Sequence, residues 1–145
     1  MFSVKECTNL EEIKALFIEY SQIKGAEGCF VSFDKELADL NGYYSGGALF
    51  VGYEDDIPVG CIAFKREDDN VAQAKRLYVK PEYRGKGYSR ILFNTALNKA
   101  KELGYKEVNL STKPLIMPIG YGLYQRMGFE TIKSEDDYVE MKIVL

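Results

Sequence analysis

Residues 77–89 carry the strongest local signals in the chain. They are Leu77-Tyr78-Val79-Lys80-Pro81-Glu82-Tyr83-Arg84-Gly85-Lys86-Gly87-Tyr88-Ser89. The apolar and aromatic residues at the start are typical of a strand, and Pro81 ends that strand because proline has no N–H to give to a ladder. Two glycines then lead into a helix whose apolar stripe we expect at Ile91, Leu92, Ala96, Ala100 and Leu103, before Gly104. The stretch therefore predicts a strand, a glycine turn and a helix in direct succession.

This succession predicts an anion-binding loop. A strand that passes through glycines into a helix exposes backbone N–H groups at the positive end of the helix dipole. Gly85 and Gly87 lack side chains that would hold a phosphate away from the backbone, and Arg84 and Lys86 add positive charge. An ordinary flexible turn is the alternative, because short glycine patterns are common. The spacing fits neither a Walker loop nor a three-glycine dinucleotide fingerprint.

Two motifs, in order, resemble the GNAT family of N-acetyltransferases. Arg84-Gly85-Lys86-Gly87-Tyr88-Ser89 is similar to the acetyl-CoA signature of that family, with Ser89 where the family has glycine or alanine. Leu123-Tyr124-Gln125-Arg126-Met127-Gly128-Phe129 resembles the family's Leu-Tyr-x-x-x-Gly-Phe segment. The motifs cover about the second half of the chain, and the element order of the first half also fits.

The resemblance implies acetyl-CoA as acyl donor and no metal. The main chain of the strand would pair with the pantetheine arm, the N–H of Val79 would polarise the thioester oxygen, and the turn would bind the pyrophosphate. Tyr124 matches the family tyrosine that protonates the departing sulfur, and a core tyrosine on an amphipathic helix is the alternative. The expected cofactor-binding residues are Leu77, Tyr78, Val79, Arg84, Gly85, Lys86, Gly87, Tyr88, Ser89 and Thr112.

The base that accepts the proton of the amine is the open position. Many family members carry a glutamate on the strand before the loop, where this chain reads Ala74-Lys75-Arg76. We take Glu27 as the catalytic candidate, and Glu36, Glu82 or a bound water are alternatives. Glu27 belongs to a loop that shapes the acceptor pocket in families of this kind, although the same segment also fits a solvated turn.

Composition excludes several classes of function. The chain has no histidine, which excludes a histidine base, a Ser-His-Asp triad and most catalytic metal sites. A net charge of −3 argues against a broad nucleic-acid surface. Three widely spaced cysteines indicate neither a disulfide framework nor a zinc cluster, and Cys61 is expected in the core. Without an apolar run of membrane-spanning length or a signal-peptide pattern, we expect no membrane association and a cytoplasmic location.

The remaining patterns predict an α+β fold. Thr8 and Glu11 form a capping box for a first helix, and Ser32 starts a shorter helix through Leu40 that Asn41-Gly42 ends. The strand–helix–strand of residues 77–112 implies a parallel pair with a right-handed crossover. We expect a mixed, mostly antiparallel sheet of six to seven strands, about four helices and a central parallel pair, in one domain of residues 1–145.

The expected function is acetyl-CoA-dependent N-acetyl transfer to a primary amine of a small molecule or protein, directly within a ternary complex. A non-catalytic CoA-binding or regulatory domain is the second hypothesis, favoured by the missing carboxylate near Lys75 and by Ser89. A plain structural module is the third, and it would have to acquire both family motifs by chance. A homodimer is common in the family.

Overall fold

A computed structural model describes all 145 residues, and its core is one sheet of seven strands. The strands are β1 (Phe2–Glu6), β2 (Ala48–Glu54), β3 (Ile57–Arg66), β4 (Val71–Val79), β5 (Glu107–Thr112), β6 (Glu130–Ser134) and β7 (Val139–Val144). The helices are α1 (Leu10–Ser21), α2 (Phe33–Ala38), α3 (Leu40–Tyr43), α4 (Tyr88–Glu102) and α5 (Pro118–Arg126). Short 3₁₀ turns cover Glu27–Cys29 and Pro81–Tyr83.

The strand order is β1-β2-β3-β4-β5-β7-β6, and only β4 and β5 run parallel. This confirms the mixed, mostly antiparallel sheet with a central parallel pair. Because α4 connects the parallel strands, its N-terminus lies at the carboxyl end of β4, where ligands bind in open sheets of this kind. No helix combines the length and the apolar character needed to cross a membrane.

The two faces of the sheet bury separate cores. Alternate residues of β2 and β3, such as Phe50 and Ile62, pack beneath α4 with Leu92 and Phe93. The intervening residues pack on the opposite face against α1, which contributes Ile13, Leu16 and Phe17, and Cys61 lies in this second core. Period-two alternation in the strands and helical spacing in α1 and α4 produce this arrangement.

Three local predictions from the sequence are wrong. The N-cap of α1 is Asn9 rather than Thr8, because the Asn9 side chain accepts from the Glu11 N–H at 3.1 Å. The segment 33–43 forms two helices instead of one, since the backbone leaves helical geometry at Asp39 (φ −150°). Asn41-Gly42 therefore lies inside α3, whose first turn is capped by Asp39 on the Gly42 N–H at 3.0 Å.

The apolar stripe of α4 is rotated from the predicted one. Leu92, Phe93, Ala96 and Ala100 are its buried residues. Ile91 and Leu103 are 46% and 48% exposed, so both lie outside the core.

Candidate active site

A cavity of about 440 Å³ opens where β4 and β5 separate. The two strands pair only between Val71–Gln73 and Glu107–Asn109, so the rest of each facing edge is unpaired. The register between β3 and β4 shifts opposite Ile62, and Arg76 there has φ +64°. A bulge of this kind bends its strand and increases the local twist. We conclude that the bulge in β4 turns its carboxyl half away from β5 and creates the cavity.

The main chain of Val79 lies farther along the same open edge of β4, beyond the residues that line the cavity, among which only Leu77 and Thr112 belong to the expected cofactor contacts. The Lys80 N–H donates to the Val59 carbonyl at 2.8 Å, and the next pair in the ladder is Val79 with Gly60. Hydrogen-bonded and non-hydrogen-bonded pairs alternate in antiparallel ladders. The N–H and C=O of Val79 therefore point away from β3, toward the gap beside β5. The carbonyl accepts from Arg84 Nε at 2.8 Å, whereas the N–H has no such partner.

The loop that follows is an anion site by geometry. No backbone N–H from Gly85 to Arg90 donates within the protein, and the first bond of the helix runs from the Ile91 N–H to the Gly87 carbonyl. Gly85 and Gly87 have φ of +80° and +82°, and a Cβ at either would meet nothing within 4 Å. The glycines thus supply backbone conformation and leave open space in front of a row of donors at a helix N-terminus.

The side chains around this loop reinforce its positive character. Arg84, Lys86 and Arg90 are exposed and form no ion pair. Tyr88 turns away, because its ring stacks on Phe2 at 3.8 Å and its hydroxyl donates to Glu54. Tyr88 can therefore meet a ligand only through its main chain.

Tyr78 also contributes main chain rather than side chain. Its ring is buried on the α1 side, stacked on Tyr20 at 5.3 Å, and its hydroxyl donates to Glu19 at 2.5 Å. These contacts anchor the carboxyl end of β4 against α1.

Tyr124 lies in the wall of the cavity on α5. Its ring packs against Phe93 with centroids 5.6 Å apart and against Phe129 at 6.0 Å. Its hydroxyl forms no hydrogen bond within the protein and is accessible, since no fully buried polar side-chain atom is left without a partner. Burial of the residue raises its pKa above the ordinary tyrosine value. The phenol therefore stays protonated at neutral pH and is free to donate to a bound group. Thr112, buried at the end of β5, also lines the cavity.

The carboxylates proposed as bases lie outside the cavity lining. Glu27 is exposed in the first 3₁₀ turn, although its neighbours Gly28 and Cys29 line the cavity. Glu82 is exposed in the second 3₁₀ turn. Glu36 is fully buried and committed to Arg76.

The Glu36–Arg76 ion pair is the main electrostatic feature beneath the cavity. Arg76 donates from Nε to Glu36 Oε2 at 3.0 Å and from Nη2 to Oε1 at 2.7 Å. A third bond runs from Nη1 to the Cys29 carbonyl at 2.9 Å, and the guanidinium lies 4.0 Å from the centre of the Phe30 ring. Burial alone would raise the pKa of Glu36, but the bonds and charge of Arg76 outweigh it and hold the pKa low. Glu36 is therefore a poor proton acceptor, and the pair fastens the loop after α1 to the bulge of β4.

Sequence reasoning missed four charged residues of the cavity lining, which are Lys75, Arg76, Lys113 and Glu140. In the sequence, Lys75 and Arg76 stand out only because they occupy the segment where many family members carry a glutamate. Glu140 alternates with buried neighbours as any solvated strand residue does, so only the placement of β7 beside β5 reveals it. No group of three side chains suited to holding a metal ion is present.

Comparison of the sequence with known proteins identifies the family of this chain. The sequence model of the acetyltransferase (GNAT) family matches residues 10–129. The chain is 32% identical over 133 residues to an uncharacterised N-acetyltransferase of Schizosaccharomyces pombe, covering 89% of this chain and 81% of that protein. The chain therefore belongs to the GNAT family of acetyltransferases, which confirms the family expected from the two motifs.

Other relatives support the same conclusion. The N-acetylaspartate synthetase of Danio rerio is 31% identical over 107 residues, which cover 71% of this chain but only 38% of that protein. Among solved structures, the PaiA N-acetyltransferase of Thermoplasma acidophilum in complex with coenzyme A superimposes with a TM-score of 0.80. It is 19% identical and covers 100% of this chain and 99% of that chain, so this likeness shows the fold.

Proposed function

We propose that the protein is an acetyl-CoA-dependent N-acetyltransferase that transfers the acetyl group directly to a primary amine in a ternary complex. The row of unpaired N–H groups from Gly85 to Arg90 carries this proposal. A pyrophosphate is the natural ligand of such a row at a helix N-terminus. Coenzyme A carries a pyrophosphate next to an extended arm, and the open edge of β4 begins at the same loop.

The residues fit both ends of such a donor. The proposed cofactor contacts are the main chain of Leu77, Tyr78 and Val79, the loop Arg84-Gly85-Lys86-Gly87-Tyr88-Ser89, and Thr112 on the opposite wall. An extended arm would add to the edge of β4 by backbone hydrogen bonds, as peptides add to sheet edges. When bound, acetyl-CoA supplies a thioester whose carbonyl oxygen would accept from the Val79 N–H.

The transfer requires three proton movements besides the exchange of the carbon–sulfur bond for a carbon–nitrogen bond. As the amine nitrogen bonds to the acetyl carbon, the carbon–sulfur bond breaks and the electron pair leaves on sulfur. Tyr124 donates its phenolic proton to that sulfur, because its hydroxyl lies in the cavity wall. The nitrogen, now bonded to the acetyl carbon, gives up its second proton through water to the Tyr124 phenolate, which restores the phenol. An alkyl ammonium has a pKa of about 10.4 and must first lose a proton. Glu27 stays the proposed proton acceptor. The proton would reach it through water, because the Glu27 side chain lies outside the cavity lining.

The cysteines leave one alternative to direct transfer, an acyl-enzyme on Cys29. Cys61 is fully buried, and burial raises its thiol pKa, so it is inert. Cys29 is the one thiol in the cavity lining. We expect a Cys29→Ala variant to keep its activity and initial-velocity plots against both substrates to intersect. Parallel plots together with an inactive Cys29→Ala variant would contradict direct transfer.

The experiment that tests the function measures thiol release from acetyl-CoA with a panel of amines, followed by mass spectrometry of the acetylated product. The Tyr124→Phe variant removes only the hydroxyl. Slower turnover with unchanged acetyl-CoA affinity supports an enzyme. Tight acetyl-CoA binding without transfer to any amine would instead identify the alternative, a non-catalytic CoA-binding or regulatory domain. One domain over residues 1–145, a homodimer and a cytoplasmic location stay predictions from the sequence.

A further inference from the structure

The charges that line the cavity do not all balance. The four charged lining residues are Lys75, Arg76, Lys113 and Glu140. Arg76 is paired with Glu36, and the Lys113 ammonium lies 3.3 Å from an oxygen of Asp137. Neither Lys75 nor Glu140 has an oppositely charged side chain within 4.0 Å. Lys133 stands opposite Glu140 in the β6–β7 ladder but forms its ion pair with Glu135, at 3.1 Å. After internal pairing, the cavity therefore keeps one positive charge at Lys75 and one negative charge at Glu140.

These two residues lie on the same face of the sheet and in one row. Glu140 is directly opposite Ser111 in the β5–β7 ladder. Gln73 is paired with Asn109, so Lys75 stands level with Ser111 across the opening between β4 and β5. The intervening residues Ala74, Leu110 and Val139 all point into the core on the α4 side. Lys75 on β4 and Glu140 on β7 thus both lie on the α1 side of the sheet, at either side of the opening, with β5 between them.

Lys75 has no anion of its own, because the nearby Glu36 carboxylate, which acts on it from a distance, is already bonded to Arg76. Its ammonium donates to the Tyr43 hydroxyl at 2.6 Å and lies 5.0 Å from the centre of that ring. A second ammonium, from Lys65, lies 4.6 Å from the same ring. Burial, and then the nearby Arg76 cation, lower the pKa of Lys75, and the Glu36 carboxylate offsets them only in part. A partly buried cation without a counter-charge is costly, and a carboxylate from a ligand would remove that cost.

Building on the proposed function, we propose that the acceptor is an amino acid, a small molecule whose amine binds at Glu140 and whose carboxylate binds at Lys75. A ligand with one charge of each sign satisfies both residues at once. A polyamine would instead bring a second cation toward Lys75, and a simple alkylamine would leave Lys75 without a partner. The cavity, about 440 Å³, has the size of a small-molecule site rather than of a protein docking surface.

The test compares each amino acid with its own carboxamide as acceptor. The panel contains α-amino acids and ω-amino acids from glycine to 6-aminohexanoate, assayed by thiol release at saturating acetyl-CoA. We expect at least one amino acid to exceed its carboxamide in kcat/KM by about tenfold or more, the value of one charge-assisted hydrogen bond. Lys75→Met should abolish that preference through KM, and Lys75→Arg should restore part of it. Glu140→Gln should raise the KM of both members of a pair.

Matched controls are Lys35→Met and Glu130→Gln, which remove the same charges from exposed positions outside the cavity. Calorimetric titration with acetyl-CoA tests the proposed transferase separately from the proposed amino acid acceptor. If acetyl-CoA binds but carboxamides serve as well as amino acids, or Lys75→Met leaves the preference intact, the amino acid acceptor is wrong while the transferase stands. If acetyl-CoA does not bind, the proposed function fails and the acceptor assignment fails with it.

Discussion

Removing Arg76 should destabilise the protein strongly and reverse its response to pH. The Arg76 and Glu36 side chains are 4% and 0% exposed, so the small values measured for surface ion pairs do not apply. Breaking a buried pair from one side costs about 3–5 kcal/mol, because the other charge stays buried without its partner. Arg76→Met keeps an unbranched side chain of similar length and leaves Glu36 with only the Tyr44 hydroxyl, at 2.8 Å.

The pH dependence follows from the sign of each pKa shift. In the wild type, Arg76 holds the pKa of Glu36 low in the folded protein. The ion pair therefore stabilises the fold above the pKa that Glu36 has in the unfolded chain, and this contribution is lost as pH falls through the lower pKa of the folded protein. In Arg76→Met the largest effect that remains is burial, which raises that pKa against the weaker effects of the Tyr44 hydroxyl and the Lys75 cation. The variant then keeps its stability below the pKa that Glu36 has in the unfolded chain. It loses stability as pH rises through the raised pKa that Glu36 has in the folded protein. Between about pH 4 and 7, the wild type should gain stability with pH and the variant should lose it.

Urea unfolding measured at several pH values tests this reasoning. At pH 7 we expect Arg76→Met to lose about 3–5 kcal/mol of unfolding free energy, or roughly 10 °C in Tm. The control, Arg66→Met, removes an exposed partner of Asp69 and should behave like the wild type. A double variant, Arg76→Met with Glu36→Leu, should recover much of the loss because no buried charge remains. An Arg76→Met protein within 1 kcal/mol of wild type at every pH would refute the argument.

Three further outcomes follow from the site. Tyr124→Phe should lower kcat about 10²-fold or more without changing acetyl-CoA affinity, which single-turnover kinetics and calorimetry can separate. Because burial raises the pKa of Tyr124, no loss of activity from its ionisation should appear up to about pH 10, as a pH–rate profile would show. Gly85→Ala places a Cβ at φ +80° and should destabilise the loop by about 1 kcal/mol while weakening acetyl-CoA binding, measured by urea unfolding and by titration. Activity falling above pH 8 in the wild type but not in Tyr124→Phe would contradict the second outcome.

Short-range patterns made much of this fold predictable. The alternation of polar and apolar residues over 107–112 predicts a strand, and β5 covers the same six residues. Asp55-Asp56 is typical of a hairpin turn between two alternating segments, and the structure has that turn between β2 and β3 with φ of +48° and +72°. Gly85 and Gly87 mark the loop in the sequence because they lack side chains that would hold a phosphate away, and the structure adds that both adopt positive φ.

Features that depend on distant contacts were beyond local patterns. Arg76 adopts φ +64° although arginine carries no signal for that conformation, and its partner Glu36 lies 40 residues earlier. The bulge is held by tertiary contacts that outweigh the local preference. Glu140 enters the cavity lining only because β7 inserts between β5 and β6, an order that the chain sequence of strands does not reveal. The split of α2 from α3 at Asp39 likewise follows from a side-chain cap rather than from apolar spacing.

The central claim is that the glycine loop before α4 binds the pyrophosphate of acetyl-CoA. Calorimetric titration of acetyl-CoA into the wild type, Gly87→Glu and Gly104→Glu tests it directly. Gly104 is a matched control, since it also has positive φ (+97°) and open space but lies at the opposite end of α4. We predict micromolar binding by the wild type and Gly104→Glu, and none by Gly87→Glu. Equal binding by Gly87→Glu, or no binding by folded wild-type protein, would contradict the account.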